Sequence, residues 1–200
     1  ETLSHLASTT RIVYRMNSAP TDITIKERLS DRLHKEDIQE LLHYMKNNPP
    51  LREAIYQLTL DKDDKLSYKA LWICTHFPPE DMLWLETKRE QLIDSVLTSP
   101  HPGTRRMVLS ILCQQQQISD SPRLDLLDYC LQGILSNTEP AGVKALCIKL
   151  AYQLTLSIPE LQQELYLILE MMEPDLLTPA FRSIRIGPID VLNGNSIVAL

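Results

Sequence analysis

An all-α array of stacked antiparallel helix pairs is the fold this sequence predicts, and three observations predict it. A polar turn, a cation and an apolar helical run recur together at a fixed period. The cations Lys69, Arg106, Lys144 and Arg182 lie 37, 38 and 38 residues apart, and the turn residues Ser99, Asn137 and Asp175 lie 38 apart. A constant spacing in this range marks helical repeats, in which one helix pair per repeat stacks on the next. Prolines stand at the starts of the apolar runs, where a missing N–H costs nothing and the fixed φ suits the first turn. Finally, aromatic content is only 6% and there are just 5 glycines, which suits helices better than the turn-rich, aromatic strands of a β-sandwich.

Residues 1–23 read as an N-terminal extension or linker. Leu3, Leu6, Ile12 and Val13 make no sustained helical face, and Asn17–Asp22 has linker composition. Met16 reads as a start codon in its own right, and the residues before it as a gene-start artefact or a loosely packed extension. They lack the charged start, uninterrupted apolar stretch and small-residue cleavage site of a secretion signal.

From Ile23 the pattern turns helical. Ile25, Leu29 and Leu33 form one stripe of a short helix, and Ile38, Leu41, Leu42 and Met45 a second, ended by Asn47-Asn48-Pro49-Pro50. Pro50 opens a third with Leu51, Ala54, Ile55 and Leu58. A charged turn, Asp61–Lys65, leads into a helix over Leu66–Phe77, stopped by Pro78-Pro79. The next helix spans Asp81–Thr98 on Leu83, Leu85, Leu92, Ile93, Val96 and Leu97. Proline then punctuates helices over 102–115, 122–136, 140–157, 159–172 and 174–192, with Ser121 a good N-cap for the second of these. Gln114–Gln117 is a short polar tract at a helix end, and Pro179 and Pro188 should kink or break the last helix. Pairing gives units near 50–77, 79–115, 122–157 and 159–192, in a single repeat domain over 24–192 with a tail at 193–200.

These turns resemble those of the HEAT-repeat family and, less closely, the armadillo family. The resemblance rests on the polar turn and on the hydrophobic–cation pairs Tyr68-Lys69, Val143-Lys144 and Phe181-Arg182, each opening an apolar helix. Arg105-Arg106 departs from the pattern by placing Arg where an apolar residue is usual. The family's turn aspartate is matched by Asp61 or Asp63 and by Asp175, whereas Ser99 and Asn137 replace it elsewhere. The resemblance covers residues 50–192 and implies a right-handed α-solenoid.

Composition narrows the function classes. A net charge of −6 and a pI near 5.4 argue against a dedicated nucleic-acid binder, whose footprint is basic. The apolar runs are too short to span a bilayer. Cys74, Cys113, Cys130 and Cys147 show no C-x-x-C pair and no metal-ligand spacing with histidine, so buried free thiols in a reducing, cytoplasmic compartment are expected. Glu40 and His43 share a helix face but lack a third ligand, so no metal and no cofactor are predicted. Cys74 and His76 point to different faces and make no catalytic pair. No phosphate-binding, dinucleotide, nucleophile-elbow or zinc-protease motif is present.

The in-frame cations Lys69, Arg106, Lys144 and Arg182 read as a structural ladder, each tying turn carbonyls or turn side chains between repeats. The alternative is an anion-binding stripe. The off-frame cations Arg105, Lys149 and Arg185 are the candidates for a partner-facing surface. Trp72 and Trp84 each stand among apolar neighbours and read as packing residues. The expected function is a non-enzymatic scaffold or adaptor that binds a protein partner through one face of its stacked helices. The resemblance leaves one enzymatic alternative, a HEAT-like DNA glycosylase of the alkylation-repair type. That activity requires a basic groove and a catalytic aspartate, and Asp94 and Asp128 lie on first helices, expected on the outer side. A small-molecule regulatory module is a third class, for which no residue speaks.

Overall fold

A computed structural model describes residues 22–30, 32–116 and 123–170, and within them ten helices and no strand. Residues 1–21, the Ser121 cap, the expected helix over 174–192 and the tail at 193–200 lie outside the described residues. Asp175, Arg182 and Arg185 lie outside them too. The chain divides into two compact units between Phe77 and Pro78.

The first unit holds α1 (Asp22–Ser30), α2 (Lys35–Met45), α3 (Pro49–Leu58) and α4 (Asp64–Cys74). α1 is shorter than its apolar stripe predicts: Leu33 is buried but lies beyond the helix. Ser30 Oγ donates to the Lys26 carbonyl at 2.8 Å, and Lys69 Nζ takes the Leu29 and Ser30 carbonyls at 2.8 and 3.3 Å. The chain then restarts where the Asp37 carboxylate accepts from the His34 N–H at 2.8 Å. Asn47, at φ 64°, closes α2 in the left-handed conformation that asparagine tolerates. Asn48 Oδ1 caps α3, with Pro49 in its first turn. Asp63 caps α4 by accepting from Lys65 N at 2.9 Å and Leu66 N at 3.4 Å. α1 packs on α3 and α4, α2 on α3, and α3 on α4. Ile25, Leu29, Ile38, Leu51, Ile55 and Leu71 fill the space between them. Each such side chain contributes roughly 1.5–3 kcal/mol by leaving water.

The second unit holds α5 (Pro79–Glu86), α6 (Arg89–Thr98), α7 (Pro102–Leu112), α8 (Leu124–Leu135), α9 (Ala141–Thr155) and α10 (Pro159–Glu170). The single helix predicted over Asp81–Thr98 is in fact two. Thr87 N–H and Oγ1 both donate to the Trp84 carbonyl, at 3.0 and 2.7 Å, which tightens the last turn of α5 and ends it. The polar tract after α7 then holds the break. Gln115 is 2% exposed, accepts from Arg89 Nε at 3.0 Å and donates to the Leu85 carbonyl at 3.4 Å. Gln116 N–H donates to Glu86 Oε1 at 2.7 Å. Leu83, expected among the apolar contacts, is 59% exposed, and Met82 is buried in its stead.

α6 packs on α7 and α8, α8 on α9 and α10, and α9 on α7 and α10. Consequently α6, α8 and α10 form one layer of this unit and α7 and α9 the other.

Candidate partner-binding surface

The charges of the second unit are sorted by layer. α7 and α9 carry Arg105, Arg106, Lys144 and Lys149 and not one carboxylate. α6, α8 and α10 have the opposite balance, with Arg89 their one cation against Glu90, Asp94, Asp125, Asp128 and the glutamates of α10.

The four cations of the second layer are placed differently. Arg105 Nη1 donates to the Ser99 and Pro100 carbonyls at 3.2 and 2.9 Å, and Nη2 pairs with Glu139 at 2.7 Å. The two paired side chains are 13% and 16% exposed. Arg105 is therefore not the partner-facing cation the sequence suggests. It ties the turn before α7 to the turn before α9, because Glu139 supplies the turn carboxylate that Ser99 and Asn137 do not. Tyr129 stands in the same electrostatic neighbourhood. Burial pushes its phenol well above the ordinary tyrosine range, with the charges of Cys147, Arg105 and Glu139 acting after burial.

Arg106 is exposed and lies over the start of α9. A β-carbon on Gly142 would sit 3.5 Å from Arg106 Nε and 3.9 Å from Cζ. Lys149 is exposed on the same side of α9, seven residues beyond Gly142 and so about 10 Å along the axis. The end of α7 also lies against α9 there: Gln153 Nε2 donates to the Cys113 carbonyl at 3.3 Å, and Cys113 Sγ approaches the Leu146 carbonyl at 3.7 Å. Arg106 and Lys149 thus mark the two ends of the crease between α7 and α9. Lys144 is half-buried and off this line. Arg182 and Arg185 lie outside the described residues. In the first unit Lys69 joins α4 to the end of α1 through the Leu29 and Ser30 carbonyls.

Across the period these positions differ in burial. Tyr68 is 37% exposed, the Arg105 side chain 13% and Val143 1%, although all three stand at the same point of the repeat.

The remaining candidates have ordinary roles. Arg123 Nη1 donates to Glu90 at 3.0 Å and Asp94 at 2.9 Å, and Arg123 also pairs with Asp125. The pairing with Asp125, followed by those with Asp94 and Glu90, raises the Arg123 pKa, and the Arg123 hydrogen bond holds the Asp125 carboxyl low. Trp84 lies beneath Lys88 Nζ at 5.4 Å from the ring centre, and Trp72 meets His76 edge-on at 6.2 Å. Glu40 faces Arg28 at 4.0 Å, and the His43 ring packs edge-on to Tyr44. Among the described residues no three His, Cys, Asp or Glu side chains come together to hold a metal ion.

All four cysteines are free and buried. Burial pushes the Cys113 thiol up to about 12 despite the opposing charge of Lys149, and a hydrogen bond with Cys147 together with burial raises Cys130. The sequence does not reveal that Cys113, Cys130 and Cys147 share one neighbourhood, because they come from α8, α9 and the residue just after α7. Among the described residues no helix is long and apolar enough to cross a membrane.

Nor does the sequence reading find Glu139 or the layered sorting of charge. The signal was present: counting carboxylates helix by helix separates α7 and α9 from the rest.

No curated protein and no solved structure matches the chain significantly. The family model described as a HEAT repeat domain matches residues 25–187. With its paired helices, two-layer packing and recurrent polar turns, the chain belongs to the HEAT repeat domain family.

Proposed function

We propose that this chain is a non-enzymatic, cytoplasmic helical-repeat scaffold that binds a protein partner through the solvent-exposed face of α7 and α9. The observation that carries the proposal is the exposed pair Arg106 and Lys149 on two helices that have no carboxylate of their own. Stacked helix pairs offer extended surfaces that tolerate variation at exposed positions, and HEAT repeats commonly mediate protein contacts. Arg185 remains a candidate for the same surface on its sequence alone. Arg105 and Lys69 act as ties; the ladder role is kept for Lys144 and Arg182, whereas Arg106, in the same frame, leaves it for the exposed surface. Burial of the cysteine thiols supports a reducing compartment and an unreactive interior.

A photocrosslinking amino acid placed at Lys149, and in a separate variant at Gln132 on α8, tests the assignment in lysate of the native host. A protein adduct at 149, absent at 132 and insensitive to nuclease, is the expected outcome. Adducts at 132 alone would move the interface to the other layer. Recovery of nucleic acid, lost on nuclease treatment, would bring forward the base-excision alternative.

A further inference from the structure

The surface of α7 and α9 also says something about the chemistry of its partner. Arg106 and Lys149 have no carboxylate on their own helices, and Glu139, in the turn before α9, is taken by Arg105. Their separation follows from α9 itself, because Arg106 lies over Gly142 and Lys149 stands seven residues further on, about 10 Å along the axis. Around Lys149 the surface is partly apolar, with Ala145 and Tyr152 half-exposed and Leu156 50% exposed at the end of α9.

We infer that this crease takes an acidic polypeptide segment, with carboxylates spaced about 10 Å apart to meet Arg106 and Lys149. That distance is three residues of polyproline-II chain, in which every third side chain returns to one face. Small apolar side chains between the carboxylates would cover Ala145 and Leu156. The inference rests on the scaffold reading and narrows its partner.

Charge complementarity favours a polypeptide over nucleic acid. Phosphates on one strand recur at a shorter interval, and nucleic-acid affinity grows with the number of phosphates neutralised. Two exposed cations on a chain of net charge −6 neutralise few of them. An acidic peptide needs only the two contacts and avoids the acidic layer formed by α6, α8 and α10.

The test uses the full chain and a fluorescein-labelled peptide of repeated Glu-Ala-Ala triplets, read by fluorescence anisotropy at low salt. A Gln-Ala-Ala peptide and a labelled DNA duplex serve as comparators. The glutamate peptide is expected to bind, to weaken as salt rises, and to lose at least tenfold in affinity in the Arg106→Glu/Lys149→Glu variant. The Arg106→Gln/Lys149→Gln variant should lose less and provides the readout if charge reversal impairs folding. Absence of glutamate-peptide binding, equal binding of the glutamine peptide, affinity unchanged in both variants, or tighter binding of the duplex would each overturn the inference. A protein adduct at position 149 would still stand if the peptide failed, so the two readings fail separately.

Discussion

Arg105 and Glu139, 34 residues apart in the chain, meet at 2.7 Å with both side chains largely buried. Arg105 also holds the Ser99 and Pro100 carbonyls, so one guanidinium joins two successive turns of the repeat array. A buried pair contributes modestly as a whole, since desolvation offsets attraction, but losing one partner strands the other.

Arg105→Ala should therefore destabilise the protein by about 3 kcal/mol, and Glu139→Gln by less, because the amide still accepts a hydrogen bond. The double variant Arg105→Met/Glu139→Leu should cost clearly less than the sum of the Arg105→Met and Glu139→Leu single variants. Urea denaturation of the four proteins closes the cycle, and additive losses would show that the pair is not coupled.

Lys69 provides the second tie. Its ammonium sits on the Leu29 and Ser30 carbonyls, where the dipole of α1 presents its negative end. Lys69→Met keeps much of the aliphatic stem and removes the charge. A loss of about 1 kcal/mol is expected, concentrated in α1. Hydrogen exchange should quicken in Asp22–Ser30 more than in α3, and uniform quickening would argue against a local tie.

The repeat itself was legible because it is written in spacing. The 37–38-residue period and the prolines at helix starts needed no packing information. The break at Thr87 and Lys88 was not legible, because neither residue is a helix breaker. It depends on Gln115 and Gln116, which reach back from the end of α7 to Leu85 and Glu86. The Arg105 role was hidden for a similar reason: adjacent arginines differ by about 100° around a helix, and only the position of the α8–α9 turn decides which finds a carboxylate. Period fixes where repeats recur, but the exposures of Tyr68, Arg105 and Val143 show that it does not say which face each repeat turns to water.

Tyr56 yields a prediction about alkaline stability. Its side chain is fully buried, and burial, followed by the charges of Cys74 and Glu53, pushes its phenol from 10.0 to about 12. An acid with a raised pKa in the folded state keeps its proton there while the unfolded chain releases it. The contribution is therefore intact below pH 10 and is lost as pH rises from 10 towards 12. The loss is on the order of 2 kcal/mol. In Tyr56→Phe the stability difference from the parent should be flat below pH 9 and shift in favour of the variant above pH 10. A difference independent of pH would show that Tyr56 ionises as freely folded as unfolded.

Gly133 lies in the last turn of α8, inside the helix, where alanine would ordinarily stabilise it by up to about 1 kcal/mol. Here the added methyl would sit 3.0 Å from Cys147 Sγ and 3.8 Å from its Cβ. Cys147 is itself fully buried, so it has little room to retreat. Overpacking of this kind costs roughly 1–3 kcal/mol and should outweigh the helix gain. Gly133→Ala is thus expected to lower stability, and Cys147→Ala to lower it separately by leaving a small cavity. Combined, the two changes exchange volume across the α8–α9 contact, and the double variant should recover most of the loss seen in Gly133→Ala. Thermal or urea unfolding of the three variants measures this directly. A stabilised Gly133→Ala would mean that α8 and α9 can part by a few tenths of an ångström without cost, and that the glycine is not required for their close approach.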